Sequence, residues 1–131
     1  MPFVRVPSPT DLLPDLDRLL AEGGDRLLLF FGSEAEETGA SWCPDCVTAD
    51  PVLRRAIHDQ APGVPCHECP VGERSAWKGV ADHPYRTHPR LRLGRIPTLI
   101  RFRDGCEIGR LVEADCADPA AVAAFLGPGA P

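Results

Sequence analysis

Long apolar runs are missing from this sequence, and no stretch approaches the roughly 20 residues that a membrane-spanning helix needs. The opening residues, MPFVRVPSPTD, also lack the basic-then-apolar order of a secretory signal. These absences set the expectation of a cytoplasmic protein with no membrane partner. A surplus of positive charge is lacking too. Lys and Arg number 14 against 19 Asp and Glu, a formal net charge of −5, so no basic face is on offer to nucleic acid. Internal repeats are absent apart from one doubled motif, Cys-x-x-Cys.

What is present fits one folded unit. A chain of 131 residues can bury a single core without staples, and a single domain over 1–131 is expected, with a loose tail at about 128–131. The 44% apolar and 25% charged residues are ordinary for a globular protein, and the chain is expected to act as a monomer. Its six cysteines, in a reducing compartment, point to catalysis or metal binding rather than to a disulfide framework.

The local patterns alternate between strand and helix. PFVRV reads as a short edge strand, bounded by Pro2 and Pro7. SPTDLLPDLDRLLAEGG reads as a helix with Leu12, Leu13, Leu16, Leu19 and Leu20 on one face, capped by Ser8 or Thr10 and stopped at Gly23 and Gly24. RLLLFFG has the continuous apolar character of a strand buried on both faces. A helix from Pro44 to about Gln60 follows the polar loop SEAEETGAS, with Pro51 expected to kink it. GVPCHECPVG has strand character, and a helical stretch is expected around residues 82 to 92. Asp104-Gly105 joins two apolar runs as a type I′ hairpin turn would, and DPAAVAAFLG closes with a helix capped by Asp118. Parallel crossovers followed by a hairpin imply an α/β fold, a mixed sheet with helices on both faces.

SWCPDC places Cys43 and Cys46 where a helix begins. Pro44 suits the first helical position, which leaves Cys43 at the N-cap, facing unpaired backbone donors and the positive end of the helix dipole. A thiolate there is stabilised. Asp45 opposes this: the dipole contributes about 0.3–1 kcal/mol at an exposed site, and a nearby carboxylate offsets a comparable amount. Hydrogen bonds from Cys46 and from backbone N–H groups would supply the remainder. An exposed Cys43 that attacks a disulfide, and an enclosed Cys46 that resolves the mixed disulfide, make a dithiol exchanger.

Beyond chemistry read from spacing, FFGSEAEETGASWCPDC, Pro51, CPVGERSAWKG and GRIPTLIRFRDG together resemble the thioredoxin-like superfamily, and within it the thioredoxin domain-containing protein 17 family, which carries WCPDC. The resemblance covers residues 3 to 126. It implies a thioredoxin-like fold and disulfide reductase activity on small disulfides such as cystine, or on selected protein disulfides, through a redox-active Cys43–Cys46 pair. It implies a cis-Pro97 beside the dithiol and a substrate groove of Trp42, Pro44, Ile96, Pro97 and Thr98, with Asp45 modulating the pair. It implies no tightly bound cofactor, and electrons from a thioredoxin-reductase-type flavoenzyme. One departure stands out: RLLLFF lacks the buried aspartate that thioredoxins place on this strand, so Asp45 or water would have to take the proton of Cys46.

The second pair opens an alternative. Cys43-x2-Cys46-x19-Cys66-x2-Cys69 has the spacing of a four-cysteine zinc module. Residues i and i+3 of a strand point to opposite faces, so Cys66 and Cys69 could share a metal only across a turn, which Pro65 and Pro70 could supply. An inert core pair is the leading reading of these two. A third possibility is an adaptor in which the dithiol senses oxidation without turnover. Cys106 and Cys116 read as incidental. Of His58, His67, His83 and His88, expected to be solvated or capping, His67 is the one positioned to be a metal ligand. Arg86, Arg90, Arg92 and Arg95 read as a solvated face or a lure for acidic partners.

Overall fold

The computed structural model describes residues 2–127; the tail expected at 128–131 lies outside them. Its centre is a five-stranded sheet in the order β1-β3-β2-β4-β5, formed by β1 Phe3–Arg5, β2 Asp25–Phe31, β3 Cys66–Pro70, β4 Thr98–Arg103 and β5 Cys106–Val112. The β1, β3 and β2 strands run parallel, while β2/β4 and β4/β5 are antiparallel. The α/β class and the mixed sheet are therefore as the sequence implies.

Alternation along β2 decides which layer covers which face. Leu29 and Phe31 share a cavity wall with Val47 and Leu53 of helix α3, Pro44–Gln60. Phe30 points the other way and meets Tyr85 edge-on, with ring centroids 5.0 Å apart. Tyr85 belongs to α5, Pro84–Thr87, which follows the short α4, Arg74–Trp77. The closing helix α6, Pro119–Leu126, is capped by the Asp118 carboxylate, which accepts from the Ala120 N–H at 3.0 Å.

Two stretches differ from the sequence patterns. The first helix is divided into α1, Pro9–Leu12, a 3-10 turn at Leu13–Asp15, and α2, Leu16–Ala21. Pro14 lies in that turn and removes a donor where a continuous helix would need one. Ser8 stands at the N-cap position, but its hydroxyl bonds Thr10 and Asp11 side chains instead of a backbone N–H. The four-residue α4 stands ahead of the stretch expected to be helical, 82–92, and that stretch itself holds the four-residue α5. His83 fixes α5, its Nδ1 accepting from the Tyr85 N–H at 3.0 Å while Nε2 contacts the Val71 carbonyl at 2.7 Å. The hairpin turn has φ of 51° at Asp104 and 84° at Gly105, the two positive values that a type I′ turn requires. Among the described residues no helix is long and apolar enough to cross a membrane.

Candidate active site

The start of α3 assembles the first pair of thiols. Cys43 is the N-cap residue with extended φ and ψ, and its Sγ accepts from the Cys46 N–H at 3.3 Å. The Cys43 N–H donates in turn to Ser41 Oγ at 3.1 Å, and the Ser41 hydroxyl donates to the Gly32 carbonyl at 2.6 Å. A chain of hydrogen bonds thus ties the dithiol to the end of β2. Burial, followed by the neighbouring Cys43, pushes the Cys46 thiol well above the ordinary thiol range. The Gly32 backbone and the Ser41 side chain act in the opposite sense by bonding the thiolate.

Trp42 is held by its Nε1–H, which donates to the Gly72 carbonyl at 2.8 Å. Its ring lies against Gly32, where an added Cβ would come within 2.7 Å of Trp42 Cε2 and 3.0 Å of Ser41 Oγ. Glycine is needed there for close approach. The acidic loop after β2 is closed by a bridge between Glu34 and Ser41, and by an Ala35 N–H bond to the Ala40 carbonyl. The loop therefore forms a wall beside the dithiol instead of a free arm.

The Ile96–Pro97 peptide bond is cis. A groove of about 290 Å³ gathers Trp42, Cys43, Pro44, Asp45 and Ile96 with Lys78. On the other side of the helix start, a cavity of about 360 Å³ is lined by Cys46, Pro97 and Ser41, with Glu34, Asp50 and Arg54 as its charged groups. The dithiol therefore divides two spaces, one touching each cysteine.

The structure departs from the expected site in two places. Cys43, expected to be exposed, is only 6% accessible, because it forms the floor of the groove with Trp42 and Ile96 at its sides. Thr98, expected in the substrate groove, is buried behind it. Its hydroxyl turns back to the Arg95 carbonyl at 2.6 Å and its backbone pairs into β4 between β2 and β5. Sequence patterns had also passed over Ser41, Gly32 and Asp50. Asp50 was available to a helical wheel, since it lies one turn beyond Cys46.

The second pair is arranged otherwise. Cys66 and Cys69 are completely buried on β3, and their neighbours show that they face opposite ways. Cys66 and Glu68 lie toward α3, where Glu68 pairs with Arg54. Cys69 lies toward Tyr85. Burial pushes the Cys66 thiol up to about 12 and Cys69 well above its usual value, which keeps both protonated. Among the described residues no three His, Cys, Asp or Glu side chains stand together as metal ligands, so the four-cysteine zinc set is not assembled. His67 is not a ligand either: its Nε2 is taken by Arg26 Nη1 at 2.9 Å. Cys116 is buried with its Sγ 3.6 Å from the Pro97 carbonyl, and Cys106 is exposed.

The arginines after α4 are mostly engaged. Arg86 lies over the Trp77 ring at 3.4 Å and donates to the Gly94 and Trp77 carbonyls. Arg90 reaches Asp17 and the Gly105 carbonyl, and Arg95 pairs with Glu113. Arg86 is half-buried and braces the irregular segment, while Arg90, Arg92 and Arg95 are exposed and keep the solvated face.

A parallel and antiparallel sheet of this order, with a Cys-x-x-Cys helix start beside a cis-proline, defines a thioredoxin-fold protein. Solved structures agree on the fold: thioredoxin O2 from Arabidopsis thaliana superposes with a TM-score of 0.60 at 18% identity, covering 88% of this chain and 85% of that one. The chain belongs to the thioredoxin domain-containing protein 17-like family, whose thioredoxin domain matches residues 12–128. It is 38% identical over 104 residues to the thioredoxin-like protein Clot of Oryza sativa subsp. japonica, covering 72% of this chain and 74% of that protein. It is 32% identical over 93 residues to thioredoxin domain-containing protein 17 of Homo sapiens, covering 71% of each. Membership supports a role of the thiol–disulfide oxidoreductase type.

Proposed function

We propose that the protein is a disulfide reductase that acts on small cystine-like disulfides or selected protein disulfides, with Cys43 as nucleophile and Cys46 as resolving thiol. The observation that carries this reading is the Cys46 N–H donated to Cys43 Sγ, with Cys43 alone of the two lining the groove. Substrate enters beside Trp42, Pro44 and Ile96. No described residue makes a backbone hydrogen bond to Ile96, which supports its use as a pairing edge for an extended substrate. Asp45 and Glu113, with Lys78, Arg86 and Arg95, set the local charge that a substrate meets in the groove.

In the reaction Cys43 thiolate attacks one sulfur of the substrate disulfide, the substrate S–S bond breaks, and the first substrate thiol leaves. Cys46 then attacks Cys43 Sγ, forming the Cys43–Cys46 disulfide and releasing the second thiol. Two electrons pass from the dithiol to the substrate, and a thioredoxin-reductase-type flavoenzyme restores them. The protein works as a monomer in the cytoplasm and needs no tightly bound cofactor.

A turnover assay with such a reductase and NADPH, comparing cystine, glutathione disulfide and insulin, tests this. Cystine is expected to be reduced, with activity falling by about a thousandfold or more in Cys43→Ser. Turnover of none of the three, or turnover untouched by that substitution, would contradict the assignment.

A further inference from the structure

The proton of Cys46 needs an acceptor, and the strand that carries a buried aspartate in thioredoxins runs apolar here from Leu27 to Phe31, its one aspartate, Asp25, lying at the start of the strand in the grip of Arg101 and Arg103. Asp45 is not placed for the task. It is exposed and lines the groove on the Cys43 side. The cavity behind the helix start touches Cys46 itself, and two carboxylates line it, Asp50 and Glu34.

Of these, Asp50 shares an element with Cys46. It follows Cys46 by four residues on α3, so the two side chains share a helix face with β-carbons about 5–6 Å apart. That gap suits one bridging water, and a cavity of about 360 Å³ has room for it. Glu34 is on the loop, and both of its oxygens are taken by Arg5, at 3.1 and 2.9 Å. Asp50 is held differently. The Arg54 Nε–H is shared between its two oxygens, at 2.9 and 3.0 Å, which leaves lone pairs on each for a water. Arg54 is itself anchored from the other side by the buried Glu68 of β3, which Arg5 also approaches at 3.5 Å. The carboxylate is thus oriented by a guanidinium that cannot swing away.

We propose that Asp50 accepts the Cys46 proton through water in this cavity during resolution of the mixed disulfide. The proposal rests on the dithiol reading above. Cys46 S–H gives its proton to the Asp50 carboxylate by way of the water, and the Cys46 thiolate attacks Cys43 Sγ. The bond from Cys43 to the substrate sulfur breaks as the Cys43–Cys46 bond forms. The departing substrate thiolate takes a proton from solvent, and Asp50 releases its own through the open side of the cavity. The charged or titratable groups that face Cys46 in this step are Cys43, Asp50 and Glu34, with Arg54, Arg5 and Glu68 behind them.

An aromatic disulfide, 5,5′-dithiobis(2-nitrobenzoate), separates the two chemical steps, because attack by Cys43 releases one coloured thiolate and resolution by Cys46 releases the second. In single-turnover mixing, Asp50→Asn is expected to leave the first release within about twofold of the parent and to slow the second by about tenfold or more. Its second phase should also rise about tenfold per pH unit between about pH 6 and 8, where the parent protein changes little. Asp50→Glu should restore the parent profile, and Asp59→Asn, a carboxylate at the far end of α3, should match the parent throughout. A second phase in Asp50→Asn with the parent's rate and pH profile would overturn the proposal. If that variant does not fold, the parent profile decides: resolution that climbs tenfold per pH unit in the unaltered protein would overturn it equally. A parent protein that never releases the second thiolate would instead refute the dithiol reading on which the proposal stands.

Discussion

Cys46→Ser protein mixed with a disulfide substrate accumulates a stable mixed disulfide through Cys43, and its steady-state turnover falls by about a thousandfold or more. The expectation follows from how the two sulfurs divide the work. Cys43 keeps its place at the N-cap of α3 and its position on the groove, so attack proceeds. What vanishes is a nucleophile held permanently beside the new disulfide. A thiol so placed acts at an effective concentration of about 10⁵ M or higher, which no free thiol in solution supplies. Serine cannot substitute, because its hydroxyl does not ionise in the accessible range and its oxygen does not attack sulfur productively. The backbone N–H of residue 46 still donates toward Cys43 Sγ after the change, so the trap tests resolution and not the stability of the attacking thiolate. Gel shifts under non-reducing conditions and mass spectrometry of the adduct measure it.

Folding stability falls by about 2–3 kcal/mol as pH drops from about 6.5 to 4, and His67→Gln removes most of that loss. His67 is buried, 7% accessible, on the face of β3 turned from α3. Burial, and next the charge of Arg26, lower its value from 6.5 to about 4, with Glu22 opposing weakly. In the folded chain the ring stays neutral and accepts from Arg26, whereas the unfolded chain takes up a proton near 6.5. The unfolded state therefore binds more protons through this window. Stability is complete above about 6.5 and declines as pH falls toward 4. Glutamine offers Arg26 an acceptor without titrating. Asp25 cannot mimic the effect, because Arg103 and Arg101 hold its carboxyl near about 2, which places its own loss below pH 4. Urea titrations at a series of pH values resolve the two windows. A stability curve for His67→Gln that falls as steeply as the parent's between 6.5 and 4 would refute the assignment.

How much of this was legible from sequence depends on how local the cause is. The β2 run, the Asp104-Gly105 hairpin and the Asp118 cap each follow from a few adjacent residues, and each formed as those residues dictate. The division of the first helix at Pro14 was also local and open to the same reasoning. The segment from Glu73 to Gly94 was not, because distant parts of the chain hold it: Phe30 meets Tyr85, Asp17 pairs with Arg90, and Arg110 donates to the Leu91 carbonyl.

The candidate site divides in the same way. The WCPDC start of α3 could be placed from Pro44 and the helix pattern alone. The role of Gly32 could not, since it depends on the Trp42 ring arriving from ten residues away. Thr98 was placed in the groove on family likeness, but strand pairing on both sides takes it out. The zinc spacing of four cysteines was suggestive only in one dimension. Once Cys66 and Cys69 occupy a straight strand, the period of two sends them to opposite faces.

The central claim is that Cys43 and Cys46 form one electron-carrying pair, and that the other buried thiols stand apart from it. Peptide mapping of the protein after oxidation by one equivalent of cystine measures this directly. A disulfide between Cys43 and Cys46, with Cys66, Cys69 and Cys116 recovered as free thiols, is the predicted result. A cross-link that includes Cys66 or Cys69, or a Cys43–Cys46 pair recovered fully reduced, would contradict it.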